Sequence, residues 1–230
     1  MERIILIETS TALCSIAVIE DDKIIAYKES ETPRAHASMT APLIKEALDG
    51  CGLRAQDCTA VCISKGPGSY TGLRVGSSSA KGLCFGAHLP LVAVGTLDTL
   101  VQQAFDENVV PEGCRYIIPM IDARRMEVYC AVFTPDGKQV TETMPQIVDA
   151  TSFASQLEEG PVLFIGDGAL KCKDVLTSPN AFFHQCCPKA SAMARPALEA
   201  AKEKRHEDIA YFEPFYLKDF VATVSKKNLF

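Results

Sequence analysis

Hydrophobic residues in the first part of the chain form three short β-type runs followed by a helical stripe. Apolar runs at 3–8 and 13–20 are separated by the hydroxyl-bearing Thr9-Ser10-Thr11, and a third run at 23–30 follows a turn at 21–22. This spacing predicts an antiparallel meander of three strands. An apolar stripe with helical spacing from Met39 to Cys51 predicts a helix that starts at 36–38 and ends at 50–52.

The next helix has one face almost without side chains. A buried strand at 59–64 leads through a Gly-Pro-Gly turn into a helix at 71–87. One line along this helix carries the stripe Gly72, Gly76, Ser79, Leu83 and Gly86. Each glycine costs about 0.5–1 kcal/mol relative to alanine, so the stripe predicts the close approach of another backbone. Two alternatives stay open: a neighbouring helix of the same chain, or a helix of a partner.

The order of elements then repeats. Strands are predicted at 115–121, 126–133 and 138–144, the last two joined by Pro135-Asp136-Gly137, and are followed by a helix around 152–157, a strand at 162–165 and a helix near 190–203. This is the α/β class. The halves match in element order rather than residue identity, which predicts two α/β domains at 1–105 and 106–230, with the division falling within 105–113.

An aromatic segment follows the second domain. Its members are Tyr211, Phe212, Phe215, Tyr216 and Phe220. Such a concentration of rings favours a segment at 211–230 that docks back onto the first domain.

Charge and cysteine usage narrow the function classes. With 23 basic and 29 acidic residues the net charge is −6, which argues against an autonomous nucleic-acid binder. The early apolar runs are too short for a signal sequence or a membrane span, so a cytoplasmic protein without a membrane partner is expected. The ten cysteines lie mostly in apolar stretches and indicate reduced core thiols, and neither they nor the four histidines have zinc-site spacing. We therefore expect no metal.

Several motifs resemble those of a known family. They are Glu8-Thr9-Ser10, Ala35-His36 with Ser38, the run from Lys65 to Gly76, Ala80-Lys81-Gly82-Leu83, Asp122-Ala123-Arg124 and Gly166-Asp167-Gly168. Together they resemble the bacterial TsaB (YeaZ) family of the tRNA threonylcarbamoyladenosine machinery, over essentially the whole chain. The resemblance implies an actin-like, Hsp70-like (ASKHA) fold built from two duplicated RNase H-like domains.

The resemblance also implies partners. It implies a non-catalytic scaffold subunit that forms a heterodimer with the transferase TsaD, recruits the ATPase TsaE and meets tRNA only through the complex. The implied pairing surface is formed by first-domain helices and comprises His36, Met39, Leu43, Gly72, Gly76, Ser79, Leu83 and Gly86. In isolation the same surface is compatible with a symmetric homodimer.

Catalysis by this chain is the competing hypothesis. Actin-like kinases hold phosphates between two glycine-bearing loops, whereas the matching positions here are Glu8, Thr9 and Ser10 in one loop and Asp122 and Arg124 in the other. This pattern predicts a degenerate nucleotide cleft and no cofactor. Arg124 and Arg125 are expected either to clamp an anion or to pair with Glu127 or Asp122.

Two further alternatives remain. The turn with Gly66, Gly68 and Ser69 precedes a helix and could bind an anion there, or it serves only as a tight connection. A protease is not expected, because no signature such as His-Glu-x-x-His is present. The alternative function is therefore an ATP-dependent phosphotransferase of the same fold.

Overall fold

Two five-stranded sheets with flanking helices make up the protein. The computed structural model describes residues 1–32 and 35–218. The first half contains β1 (Arg3–Glu8), β2 (Cys14–Glu20), β3 (Lys23–Ser30), α1 (His36–Gly50), β4 (Ala60–Ser64), α2 (Tyr70–Ala87), β5 (Leu91–Val94) and α3 (Thr96–Asp106). The second half contains β6 (Tyr116–Asp122), β7 (Glu127–Cys130), β8 (Met144–Ile147), α4 (Ala154–Glu159), β9 (Val162–Ile165), β10 (Ala181–His184) and α5 (Ala194–Lys202). Single 3-10 turns lie at Ala55–Asp57, Leu170–Cys172 and Ala190–Met193.

The two sheets have the same strand order. The first runs β3-β2-β1-β4-β5 and the second β8-β7-β6-β9-β10. In each, the central strand pairs antiparallel with the strand that follows it in the chain and parallel with the strand that follows the helix. The central strands are almost wholly apolar because both of their faces are covered. The predicted doubled α/β architecture is thus confirmed.

One helix of each half packs against the sheet of the other half. The buried face of α3, including Leu100 and Ala104, packs against Ile117 and Leu163 of the second sheet. The turn before α5 and α5 itself cover the opposite face of the first sheet, where Met193 and related side chains form a separate core cluster with residues of β1 and β5. Side-chain packing therefore extends across the predicted boundary between residues 105 and 106. The division into two domains at that boundary stays a prediction.

The second meander differs from the prediction at its third strand. The predicted strand at 138–144 is wrong: this stretch forms an isolated bridge between Phe133 and Gln139 and a hydrogen bond from the Val140 N–H to the Val132 carbonyl at 2.9 Å, and β8 begins at Met144. The Thr141 hydroxyl accepts from the Val132 N–H at 2.8 Å, so a side chain takes the place of a ladder bond. Strand β10 was missed because its four residues are only partly buried and show no alternation.

The C-terminal aromatic segment contacts the first half. Phe212 is 8% exposed and belongs to the first core. The Phe215 N–H donates to the Lys65 carbonyl at 2.7 Å, and the Tyr216 ring lies 4.7 Å from the Tyr70 ring. Phe220, and the prediction for 219–230, lie outside the described residues.

Two predictions from composition concern burial. All ten cysteines are unpaired thiols, and six of them, including Cys62 in β4, are buried. Among residues 1–32 and 35–218, the helices are all too short or too polar to cross a bilayer.

Candidate functional site

A cleft of about 880 Å³ separates the two halves. Its first wall is the loop after β1 and the start of α2, and its second wall is the β6–β7 turn and the turn after β9. The segment at 215–218 closes one side. The structure thus brings the predicted residues Ser10, Asp122 and Arg124 to one cavity.

Glu8 and Thr9 lie beneath this cleft rather than on its wall. Glu8 is fully buried, and its Oε1 accepts the Ser10 N–H at 2.7 Å. Burial raises the pKa of Glu8, while hydrogen bonding to Ser10 and Ser64 lowers it by less. A buried carboxyl with a raised pKa is a poor ligand for a magnesium ion. Thr9 Oγ1 donates to the Gly72 carbonyl at 2.9 Å and ties the loop to α2.

The β6–β7 turn places two arginines in the backbone conformation that glycine adopts most easily. Arg124 and Arg125 have φ values of 72° and 52°. The Arg124 N–H donates to Asp122 Oδ1 at 2.7 Å, which holds the turn. A left-handed non-glycine residue costs roughly 1–2 kcal/mol. The turn therefore has the shape of a glycine turn but carries two exposed arginines, of which Arg124 lines the cleft.

The predicted pairing of these arginines with Asp122 or Glu127 is wrong. Asp122 forms an ion pair with Lys171, and Glu127 forms one with Lys218. Within the described part of the chain neither Arg124 nor Arg125 makes an ion pair, and Arg124 lines the cleft.

Asp167 is a cleft residue that was not predicted as a site residue. It lies in the Gly-Asp-Gly turn after β9, and its Oδ1 accepts the Asp122 N–H at 2.9 Å. Burial raises the pKa of Asp167 to about 6, the Asp122 carboxylate adds to the rise, and Lys171 opposes it. The flanking glycines, Gly166 with φ +125° and Gly168, were the available signal. Nowhere in residues 1–32 and 35–218 do three potential metal ligands of the His, Cys, Asp or Glu type converge.

The turn before α2 uses its polar groups within the chain. The Ser69 N–H donates to the Ser10 carbonyl at 2.6 Å, and Ser69 Oγ accepts the Gly72 N–H at 3.3 Å. A Cβ at Gly68 would lie 2.7 Å from the Ser10 Cβ, and one at Gly66 would lie 2.8 Å from the Phe215 carbonyl oxygen. These contacts favour the tight-connection alternative over anion binding, because donors that an anion needs are already engaged.

The glycine stripe of α2 divides into two parts. At Gly72 a Cβ would overlap the Thr9 carbonyl oxygen, and at Gly76 it would overlap Thr9 Oγ1 and lie 2.8 Å from Ile63 Cδ1. Gly72 therefore packs against the Thr9 backbone of the same chain, and Gly76 packs against the Thr9 and Ile63 side chains. The expectation that they meet a partner's helix is wrong, and so is the alternative of a neighbouring helix at these two positions.

Other predicted interface residues are also turned inward. Leu43 is 3% exposed and belongs to the first core, and Met39 packs partly buried against that core. His36 lines the interdomain cleft. The outward part of the prediction is thus limited to Ser79, Leu83 and Gly86.

An apolar groove of about 380 Å³ runs between α1 and α2 on the outer face of the first half, and we call it the α1–α2 groove. Ser79 and Leu83 line it together with Ala41, Ile44, Leu48 and Leu53, and Lys45, Asp49 and Arg54 lie at its edge. On the same helix, a Cβ at Gly82 or Gly86 would meet no atom of residues 1–32 or 35–218 within 4 Å. Phe85, which the sequence analysis missed, is 80% exposed. An aromatic residue between two open glycines was the available signal.

Solved structures define the class of the protein. A Pseudomonas aeruginosa protein described as similar to the peptidase YEAZ superimposes with a TM-score of 0.79 at 24% identity, covering 95% of this chain and all of that one. An activator of 2-hydroxyisocaproyl-CoA dehydratase from Clostridium difficile, solved with ADPNP, gives a TM-score of 0.52 at 10% identity over 88% of this chain and 97% of that one. The fold is that of the actin-like ATPases, as the sequence predicted.

Sequence relatives define the family. The family model for TsaD, described as tRNA N6-adenosine threonylcarbamoyltransferase, matches residues 25–226. The tRNA threonylcarbamoyladenosine biosynthesis protein TsaB of Escherichia coli K12 is 31% identical and covers 96% of each chain, and that of Bacillus subtilis is 30% identical over 94% of this chain and 93% of its own. The chain belongs to the TsaB family.

Proposed function

We propose that this chain is the non-catalytic scaffold subunit of the tRNA threonylcarbamoyladenosine-modification complex. It binds a TsaD-type transferase through the α1–α2 groove and Phe85, and the resulting pair recruits the ATPase TsaE. Transfer RNA is contacted only through the complex. The observation that carries the proposal is the apolar outer face of the first half, where a groove and an exposed aromatic ring lie on one helix pair.

The cleft supports the non-catalytic part of the proposal. Phosphotransfer needs backbone N–H groups open to phosphate oxygens and ionised carboxylates open to magnesium. Here the Ser69 N–H is engaged, Glu8 is buried with a raised pKa, and Asp122 is paired with Lys171. The phosphotransferase alternative therefore lacks its main groups.

The pairing surface supports the binding part. Two open glycines on either side of Phe85 let a partner approach the α2 backbone while the ring enters a pocket on that partner. Burying a phenylalanine side chain contributes about 1.5–3 kcal/mol, or roughly ten- to a hundredfold in affinity. Central aromatic anchors of this kind commonly dominate an interface.

The direct test is co-purification with the TsaD-type protein of the same organism. Phe85→Asp should weaken binding at least tenfold, because it puts a charge where an apolar ring is buried. The matched control is Ile147→Asp, since Ile147 is 72% exposed on β8 of the other half. Circular dichroism should show both variants folded. Wild-type affinity of Phe85→Asp would remove this surface from the proposal.

Catalysis and pathway are tested separately. The purified chain should not hydrolyse ATP, and sustained turnover that Glu8→Ala abolishes would favour the phosphotransferase.

Depletion of the protein should lower threonylcarbamoyladenosine in bulk tRNA, and normal levels would contradict the pathway assignment. TsaE should bind the chain only when the TsaD-type protein is present.

A further inference from the structure

A second groove, of about 1030 Å³, lies where the C-terminal segment crosses the junction between the two halves. It is bounded by the start of α3, the connection between β7 and β8, and residues 207–216. It is separate from the α1–α2 groove and shares no lining residue with it. We call it the acidic–aromatic groove because of the side chains that line it.

Carboxylates dominate the charge of this groove. The acids are Asp98, Glu142, Glu207, Asp208 and Glu213, and the only lysine or arginine among the described residues that line the groove is Lys65. Lys65 and Arg205 act on Asp98, where burial raises the pKa and these cations lower it. Among the described residues none of the five acids forms an ion pair. The remaining four therefore produce a negative potential that the chain does not itself neutralise.

Two exposed aromatic residues line the same groove as these acids. Tyr211 is 84% exposed and Phe215 is 42% exposed. Their segment is fixed to the first half, because Phe212 is buried in the core and the Phe215 N–H donates to the Lys65 carbonyl at 2.7 Å. In addition, Lys81 Nζ donates to the Ala210 carbonyl at 3.3 Å. The backbone that carries the rings is thus anchored before any ligand arrives, which reduces the entropy lost on binding.

The combination selects a cationic occupant. A guanidinium or ammonium group over a tyrosine or phenylalanine ring gains about 0.5–1 kcal/mol at an exposed site, and nearby carboxylates add charge attraction. A nucleic acid or an anionic lipid surface would be repelled by the same carboxylates. The volume accommodates several side chains of an extended peptide, whereas a purely apolar helix would leave the carboxylates unpaired.

We propose that the acidic–aromatic groove binds an arginine- or lysine-bearing extended segment of a partner protein. The cationic heads pair with Glu142, Asp208 and Glu213, and one of them stacks on Tyr211. The surface is independent of the one assigned to the TsaD-type transferase. A single copy of the chain can therefore hold two protein segments at once.

The test uses a fluorescein-labelled ten-residue peptide of alternating arginine and glycine, with the full-length chain and fluorescence anisotropy. A peptide with glutamate in place of arginine serves as the charge-reversed probe. The key variant is the double substitution Glu142→Gln with Glu213→Gln, and its control is Glu46→Gln with Glu158→Gln. The control changes the net charge equally but at exposed acids outside the groove.

We expect the double variant in the groove to weaken arginine-peptide binding at least fivefold and Tyr211→Ala to weaken it about two- to fivefold. The control pair and Phe85→Ala should leave the affinity unchanged, and the charge-reversed probe should not bind. Equal weakening by both double variants would show that only net charge matters and would overturn the proposal. Unchanged affinity of the groove variant, or binding of the glutamate peptide, would overturn it as well.

Discussion

Replacement of Gly72 by alanine should destabilise the protein, although alanine is the better helix former. A Cβ at this position would overlap the Thr9 carbonyl oxygen and lie 3.2 Å from its carbonyl carbon. The contact cannot relax by a side-chain rotation, because the obstacle is backbone and Thr9 Oγ1 is bonded to the Gly72 carbonyl at 2.9 Å. Overpacking of this kind costs about 1–3 kcal/mol.

Alanine offsets part of this loss, since it gains about 0.5–1 kcal/mol over glycine within a helix. The net loss is therefore about 1–2 kcal/mol, which corresponds to a fall in Tm of roughly 2–8 °C for a chain of this length. Scanning calorimetry on the purified chain measures it directly. A monodisperse sample should be confirmed first.

The matched control is Gly82→Ala on the same helix. Nothing lies within 4 Å of a Cβ at Gly82, so only the helix term remains and Tm should rise by about 1–4 °C. The two substitutions are chemically identical but should change Tm in opposite directions. A rise in Tm for Gly72→Ala equal to that of Gly82→Ala would refute the assignment of the inner glycines to packing on Thr9.

Three further predictions concern buried groups. Because burial raises the pKa of Glu8, the stability of the wild-type protein should fall as pH rises above the ordinary pKa of a glutamate. The stability of Glu8→Gln relative to wild type should therefore increase from pH 4 to pH 8, whereas that of the control Glu158→Gln should not. Asp167→Asn should remove a carboxyl titration with a pKa of about 6, which carbon NMR can follow, and it should gain relative stability as pH rises from 4 through 6. Phe212→Ala should lose about 3–5 kcal/mol in urea unfolding, whereas Tyr211→Ala, at an 84% exposed position, should stay within about 0.5 kcal/mol.

Local patterning was sufficient for most of the fold. The run from Arg3 to Glu8 is apolar because β1 is central in its sheet, and the strand at Val162–Ile165 was predicted at its observed bounds for the same reason. The secondary-structure prediction failed where tertiary contacts, rather than the local hydrophobic pattern, decide the backbone conformation. The stretch before β8 contains residues with strand propensity, yet Thr141 satisfies the Val132 N–H with its side chain and the ladder starts later.

The candidate site was predictable in residue type but not in direction. Gly72 was correctly identified as a position of close backbone approach, whereas side chains of Thr9 and Ile63 approach Gly76, and a sequence does not say which part of the chain arrives. Leu43 has the same ambiguity, since an apolar residue on a helix faces either its own core or a partner. Phe85 was overlooked because it falls outside the stripe, although its exposure makes it the clearest outward apolar side chain of α2.

The asymmetry between the two halves explains why the α1–α2 groove, the surface that we propose for a partner, lies in the first half. Both sheets have the same strand order, but the helix after the fourth strand is 18 residues long in the first half and is reduced to the three-residue turn Leu170–Cys172 in the second. The helix before it is likewise shortened, from 15 residues in α1 to 6 in α4. Two long adjacent helices leave an outer groove of about 380 Å³ between them. A single turn beside a short helix does not. The inner glycines of α2 hold that helix against β1, and its outer residues are thereby left free for recognition.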